Sequence, residues 1–526
     1  MTHRRRTISW LILLFAILNA ILYSSLLPLW EGFDEAFHYG YVQHLSAHGS
    51  LLVLNQTPVS EEIWQALQAQ PVSHYIQEST QAPLDFSGYF SLPQEQRARL
   101  RQRLESIPAR DKYQPHAGLL NYEAYQAPLP YLFLALPDRL LSPLPITRRV
   151  LYLRLLLSVT SAVLVYIGIG LVASRLEMAP EYATAAALCV FSSQMLYGVL
   201  SHVCNDALAV PAMLFFIWAA LGVAKAPSAQ PYAALGATLG LGLLIKAYFL
   251  CMVPFALLLL CWRRERQNVL AAAGIFLAVL VALVGPSYAR NLAIYHSLDG
   301  TTKLASGLGF RQALDALAHI PWGRSITYMA KSSLWTGNNS FTTFSAKTLT
   351  LVLLLIAAAM GLYFYHWKRI RQGEAVVAGA IAVFCAALFF VTLASYYATR
   401  GLAIAAVPWY AQVLLAPVLL VGFLGMSRAE SIGRWLATGT LLIWSYVICA
   451  TYVLKLIPQY GGFRQAHAHL PDLYSWYIHG GAERSSILST LLLTPAWWIY
   501  ALACATVVLS VFLCLRSVVC LLAARS

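Results

Sequence analysis

The sequence predicts an all-α polytopic membrane protein of about 12 transmembrane helices, with a large first extracytoplasmic loop that carries interfacial helices. The 526 residues are 59% hydrophobic and only 11% charged, with a mean hydropathy of +0.62. A soluble domain carries roughly 25% charged residues. Several apolar runs exceed the roughly 18 residues that cross a bilayer. Basic residues gather in short connections, Arg263-Arg264-Glu265-Arg266 and Lys368-Arg369-Ile370-Arg371, which is the pattern of cytoplasmic loops. The net charge of +14 is therefore a topology signal and not the footprint of a nucleic acid.

Residues 1–28 place three arginines before an apolar run. This resembles a signal peptide's basic start, but no small-x-small cleavage site follows, so it reads as a retained first span with a cytoplasmic N-terminus. Residues 29–126 hold 11 of the 22 acidic residues against 6 basic ones, and belong on the other side. Such a stretch is too long for a passive connection. Within it, Leu100, Leu104 and Ile107 fall at helical spacing among Arg97, Arg99, Arg101 and Arg103. Ile63, Trp64 and Leu67 form a second short apolar face. Both suit helices lying in the membrane interface, or amphipathic helices packed on a loop domain.

Residues 127–289 hold the next spans, at 127–145, 149–174, 182–201, 205–224, 231–262 and 268–289. A second outer loop covers 290–346, and residues 347–456 hold four further spans. A third outer loop covers 457–491, and 492–526 hold the last span and a cytoplasmic tail. The run 231–262 is long for one crossing and has Lys246 at its middle. Two half-helices meeting at the lysine would change the parity upstream. Nine cysteines are scattered through apolar segments without CxxC spacing, so neither a disulfide framework nor a zinc site is indicated.

The most informative stretch is Trp30-Glu31-Gly32-Phe33-Asp34-Glu35-Ala36-Phe37-His38-Tyr39. Three ionisable groups stand at a bilayer boundary, where they are costly and mark function. In a helix, Asp34 and His38 share one face. Asp34 reads as a general base. Glu35 and His38 would position it, or join it in holding a divalent metal. Lys246 lies inside an apolar run, with Asp206 as its obvious partner, in a structural ion pair or facing a substrate. Arg290 ends a span at the outer boundary and suits a phosphate, or anchors the span by snorkelling. Lys331, beside Trp335 in the same loop, is a further cation. The polar-aromatic stretches Trp335 to Phe341, and Gln459 to Arg464 with His467 and His469, suit sugars or ordinary turns equally.

These residues fall in an order that resembles the C-type (GT-C) membrane glycosyltransferases, in the bacterial branch related to protein O-mannosyltransferases and lipid A aminoarabinose transferases. Asp34-Glu35-Ala36-Phe37-His38-Tyr39 resembles the acidic motif of the first outer loop. Tyr125-Gln126-Ala127-Pro128-Leu129-Pro130-Tyr131 resembles the His-Pro-Pro-Leu-x-Tyr start of the second span. Arg154 to Ser158 resembles the Arg-Leu-x-Ser element, Asn205-Asp206-Ala207-Leu208 the Asn-x-Asp-Ala-Leu element, and Leu244-Ile245-Lys246 the Thr-Lys-Pro element. The likeness spans roughly the first 300 residues. The histidine before the prolines is replaced by Gln126-Ala127, and His116 is the nearest substitute.

The resemblance implies a GT-C-like fold in a bacterial inner membrane. It implies transfer of a sugar from a polyprenyl-phosphate donor to a glycan, lipid or protein acceptor. Asp34 and Glu35 would be catalytic, with His38, Gln126, Tyr131, Asn205, Asp206, Lys246, Arg290 and Lys331 around the substrates. A transporter or flippase of lipid-linked sugars, or a surface-glycan polymerase or ligase, is the competing reading. No inverted repeat supports transport.

Overall fold

The computed structural model describes residues 2–108, 112–225, 228–262, 269–298, 308–334, 344–463 and 470–523, with backbone alone for 2–9. Helix α1 (Thr2–Leu26) leads into a long loop that carries α2 (Glu35–His48), α3 (Glu61–Ala69), α4 (His74–Thr80), α5 (Phe86–Ser91) and α6 (Gln94–Glu105). Then follow α7 (Leu129–Leu140), α8 (Ile146–Arg175), α9 (Pro180–Phe191), α10 (Gln194–Leu200), α11 (Asp206–Lys225), α12 (Ala229–Ile245), α13 (Met252–Trp262) and α14 (Val269–Tyr295). A pair of short helices, α15 (Phe310–His319) and α16 (Trp322–Leu334), precedes α17 (Ala346–Tyr365), α18 (Gln372–Ala398), α19 (Leu415–Ser427) and α20 (Glu430–Ala450). The chain closes with α21 (Ile457–Tyr460), α22 (Leu470–His479), α23 (Gly481–Leu491) and α24 (Ala496–Ala523). The helical prediction misses one small sheet, in which β1 (Pro58–Ser60) pairs antiparallel with β2 (Pro115–Leu120).

Among the described residues, 8 helices are long and apolar enough to cross a membrane, or 9 if the bent pair α9–α10 is one span broken by 60°. Shorter apolar helices lie at Trp10–Leu26, Ala229–Ile245 and Ala247–Trp262. The expected long span at 231–262 is thus two helices meeting at Lys246, whose extended backbone (φ −154°, ψ 133°) ends α12. The segment 127–145, read from sequence as a crossing, needs correction. It folds as α7, only 12 residues, about 18 Å at 1.5 Å per residue, against a hydrocarbon core of roughly 30 Å. Instead α7 packs on α2: Tyr131 meets His38, and Asp138 accepts from the Tyr39 hydroxyl at 3.0 Å.

Ion pairs fix which helix ends lie together. Arg154, in the first half of α8, donates to the carbonyls of Leu27 and Pro28 at 2.7 and 2.8 Å, so α8 starts at the end of the bundle where α1 finishes. At the opposite end, Glu177 after α8 bonds Arg371 before α18 at 2.6 Å and Lys225 at the end of α11 at 3.3 Å. Buried Glu374 there takes Arg371 at 2.8 Å and Arg428, beyond α19, at 2.6 Å.

The loop helices are capped and packed. Ser60 and Ser73 cap α3 and α4 through backbone N–H groups of Ile63 and Ile76, satisfying donors a helix start leaves open. Ile63, Leu67 and Leu104 are fully buried, Trp64 stacks on His116, and Arg101 donates to the Leu492 carbonyl. The apolar faces of these helices are packed inside the protein. His116 bonds Glu61 at 2.8 Å, so it does not stand in for the missing histidine.

Candidate functional site

The turn after α1 carries positive φ at Trp30 (66°) and Asp34 (54°). Aspartate tolerates this left-handed region better than most residues. Gly32 between them is required by contact, since a Cβ there would stand 2.3 Å from the His202 side chain. Asp34 occupies the N-cap of α2, yet its side chain caps nothing. Its carbonyl accepts from Phe37 and His38, while its carboxylate accepts from the Tyr122 hydroxyl at 2.5 Å. The side chain is half-buried, and burial raises its pKa above the ordinary carboxylate value. The Tyr122 bond and Lys246 oppose that shift, and Asp206 adds to it.

Glu35 points elsewhere. Its carboxylate forms a bidentate pair with Arg154, with Nε to Oε1 at 2.6 Å, and also accepts from the Val203 N–H at 3.0 Å. Both side chains are wholly buried. This pairing favours a structural role for Glu35 over the expected catalytic or metal-ligating one, because its carboxylate is engaged by a buried cation and an amide. His38 goes a third way. Its Nδ1 lies 2.7 Å from the Tyr131 hydroxyl and 3.8 Å from Glu123 Oε2, and burial, with Lys246 and His202, drives its pKa well down. Asp34, Glu35 and His38 thus serve separate partners. Among the described residues, no group of three His, Cys, Asp or Glu side chains converges as metal ligands.

The remaining predicted residues largely assemble. Lys246 Nζ donates to Asn205 Oδ1 at 2.8 Å and Asp206 Oδ2 at 2.9 Å, and lies 5.5 Å from the centre of the Tyr410 ring. Asn205 donates to Gln126 Oε1 at 2.8 Å, and Gln126 in turn donates to Tyr125 at 3.2 Å. The glutamine at the family's histidine position so joins the loop to the start of α11. Lys246 also acts electrostatically on Asp34 and Glu123, so the network and the acidic motif share one end of the bundle.

Arg290 is engaged elsewhere. Its Nη2 donates to the carbonyls of Leu51 and Leu52 at 3.3 and 2.6 Å, fixing the chain after α2. Lys331 stands partly exposed on α16. That helix borders an apolar cavity of about 430 Å³ lined by Met329, Leu353, Phe389, Leu415 and Val418 among others. Ala411 and Gln412 reach the same cavity, one and two residues beyond the Tyr410 that covers Lys246. Trp335 to Phe341, Arg464, His467 and His469 lie outside the described residues, as do Arg263 to Arg266.

Sequence reasoning missed Glu123, Tyr122, Tyr410 and the role of Arg154. Glu123 is buried, and its pKa is pushed up to about 7 by burial and then by Asp34, against Lys246 and Gln126. The signal was local: an acid between two tyrosines, Tyr122 and Tyr125, just before Gln126.

Residues 127–288 match the family model described as dolichyl-phosphate-mannose-protein mannosyltransferase. The match takes in the Arg154–Ser158, Asn205–Leu208 and Leu244–Lys246 elements and bears out the resemblance over that stretch. No curated protein matches the chain. Among solved structures it is similar to ArnT from Cupriavidus metallidurans bound to undecaprenyl phosphate, at 12% identity and a TM-score of 0.40, covering 87% of this chain and 74% of that one.

Proposed function

We propose that the enzyme moves a sugar from a polyprenyl-phosphate donor to an acceptor hydroxyl at the extracytoplasmic face, with Asp34 as general base. The observation that carries this reading is the placement of Asp34. It is half-buried at the end of the bundle that holds Lys246, and it is held by one hydroxyl rather than neutralised by a paired cation. A carboxylate so placed takes the acceptor proton as the new bond forms. Lys246 supplies positive charge for the donor phosphate, and Arg290 keeps an anchoring role. The apolar cavity beside Tyr410 suits a prenyl chain. The acceptor is a glycan, a lipid or a protein.

Orientation follows from charge. The end away from the motif carries Arg175, Lys225, Lys368, Arg369, Arg371 and Arg428, which supports a cytoplasmic placement for it in a bacterial inner membrane. Twelve crossings result when α1, α8, the bent α9–α10, α11, α12, the run Ala247–Trp262 that ends in α13, α14, α17, α18, the run Pro408–Ser427 that holds α19, α20 and α24 are each counted once. The motif loop, α7 and the helices α15, α16, α22 and α23 then lie outside.

Purified enzyme in nanodiscs, given a panel of undecaprenyl-phosphate-linked sugars and membrane-extract acceptors, should release undecaprenyl phosphate. Asp34→Asn should lower kcat by about 10²–10⁴ with donor KM nearly kept. Because burial raises the Asp34 pKa, the wild-type rate should fall on acidification at a higher pH than an ordinary carboxylate would give. Near wild-type turnover by Asp34→Asn overturns the base assignment.

A further inference from the structure

Glu123 sits on the short turn Tyr122–Tyr125, and its side chain is only 7% exposed. Its Oε2 is buried without a hydrogen-bond partner among the described residues. His38 Nδ1 lies 3.8 Å away and is itself held by Tyr131 at 2.7 Å, while the Gln126 side chain hydrogen-bonds the Glu123 carboxyl. A buried carboxylate oxygen with no donor is expensive, whereas a carboxylic acid at the same place is far less so. Around it stand Asp34 from the turn before α2, His38 from α2 and Tyr131 from α7. Lys246 and Asp206 face it from the α11 and α12 ends. Tyr75 and Tyr410 also feel its charge.

The charge balance at this end needs a proton donor. Lys246 is already shared between Asn205 and Asp206, and Asp34 adds a further carboxylate. A prenyl-phosphate sugar enters with one negative charge on its phosphodiester, and its leaving phosphate would depart with two.

We propose that Glu123 is the general acid of the transfer, giving its proton to the departing phosphate oxygen as Asp34 takes one from the acceptor. The inference rests on the sugar-transfer reading above. In the step, the acceptor O–H breaks towards Asp34 and its oxygen bonds to the anomeric carbon. The bond from that carbon to the phosphate oxygen breaks, and the electron pair stays on this oxygen, which receives the Glu123 proton. The half-buried Asp34 then returns its proton to Glu123 through solvent, and both groups are reset. Holding an acid and a base in one site needs two carboxyl groups that titrate apart. The upward push on Glu123 keeps much of it protonated near neutrality.

The test compares two donors in wild-type, Glu123→Gln and Glu123→Asp enzyme, with folding checked by thermal unfolding in detergent. One donor is an undecaprenyl-phosphate sugar. The other carries the same sugar on p-nitrophenyl phosphate, whose less basic leaving phosphate has less need of an acid. Glu123→Gln should lose about 10²–10⁴ in kcat on the prenyl donor, and most of that loss should vanish on the aryl donor. The wild-type decline in rate as pH rises past neutrality should be absent from Glu123→Gln, and Glu123→Asp should restore part of the prenyl activity. Equal losses on both donors, or an unchanged pH profile, overturn the acid role while leaving sugar transfer intact. A folded wild-type enzyme inert with every donor overturns the transfer reading itself, and this one with it.

Discussion

At Asp34 the chain turns with φ 54°, and a side chain that would ordinarily cap α2 meets the Tyr122 hydroxyl instead. One residue later, Glu35 is drawn into the protein by Arg154, which also closes the end of α1 through the Leu27 and Pro28 carbonyls. The acidic pair therefore divides its labour: one carboxylate meets the Tyr122 hydroxyl, and the other sets the turn that holds it there. This division has a measurable consequence. Glu35→Gln leaves the Arg154 guanidinium buried and unpaired, and breaking a buried pair from one side costs about 3–5 kcal/mol. The variant should unfold at a markedly lower temperature in detergent and yield little folded protein. Replacing both partners, as Glu35→Gln with Arg154→Met, should recover much of that loss, because no buried charge is left alone. If Glu35→Gln instead unfolded like wild type while losing turnover, Glu35 would belong to the chemistry after all.

Among the helices, α12 and α14 approach closely through glycine. A Cβ at Gly236 would stand 2.6 Å from the Phe276 carbonyl oxygen, and one at Gly240 would stand 3.0 Å from Leu283. Two small residues four apart let helices in lipid touch backbone to backbone. Leucine at Gly236 should therefore destabilise the protein by about 1–3 kcal/mol or more, since a carbonyl cannot move aside. Gly274→Ala, with open space around its Cβ, should be neutral or gain a little helix propensity. Equal melting temperatures for the two variants would argue against tight α12–α14 packing. Much of the site was legible from sequence, because Asp34, His38, Asp206 and Lys246 are ionisable groups against apolar surroundings. Glu123 was not, being one acid in a loop that holds half of the chain's acids. Tyr410 lies far along the chain, and nothing local says that it covers Lys246. The helix break at Lys246 was readable as an alternative, since a lysine mid-run is poorly served inside an unbroken span. Gly236 and Gly240 were visible as letters, but only packing tells which glycines meet a neighbour.

For the whole molecule, in the proposed topology, splitting 231–262 into two helices and withdrawing α7 from the bilayer offset one another. The number of apolar segments thus said less than which of them cross. Hydropathy could not decide this, because α7 is apolar; what sets it apart is its packing on α2 through Tyr131 and Asp138. Two contacts do decide where ends meet: Arg154 ties the start of α8 to the end of α1, and Arg371 ties the start of α18 to Glu177 after α8. If α7 crossed, the connection before α8 would lie with the basic loops. If α7 lies on α2, that connection shares the face of the acidic motif. Single cysteines placed in a cysteine-free background distinguish the two. Pro143→Cys, Ser87→Cys and Phe310→Cys should all react with a membrane-impermeant maleimide added to intact cells, and Lys368→Cys should react only after the membrane is opened. Pro143→Cys labelling with Lys368→Cys, on the inner side, would restore α7 as a crossing. It would also part the Gln126 segment from the face on which its bond to Asn205 has to form.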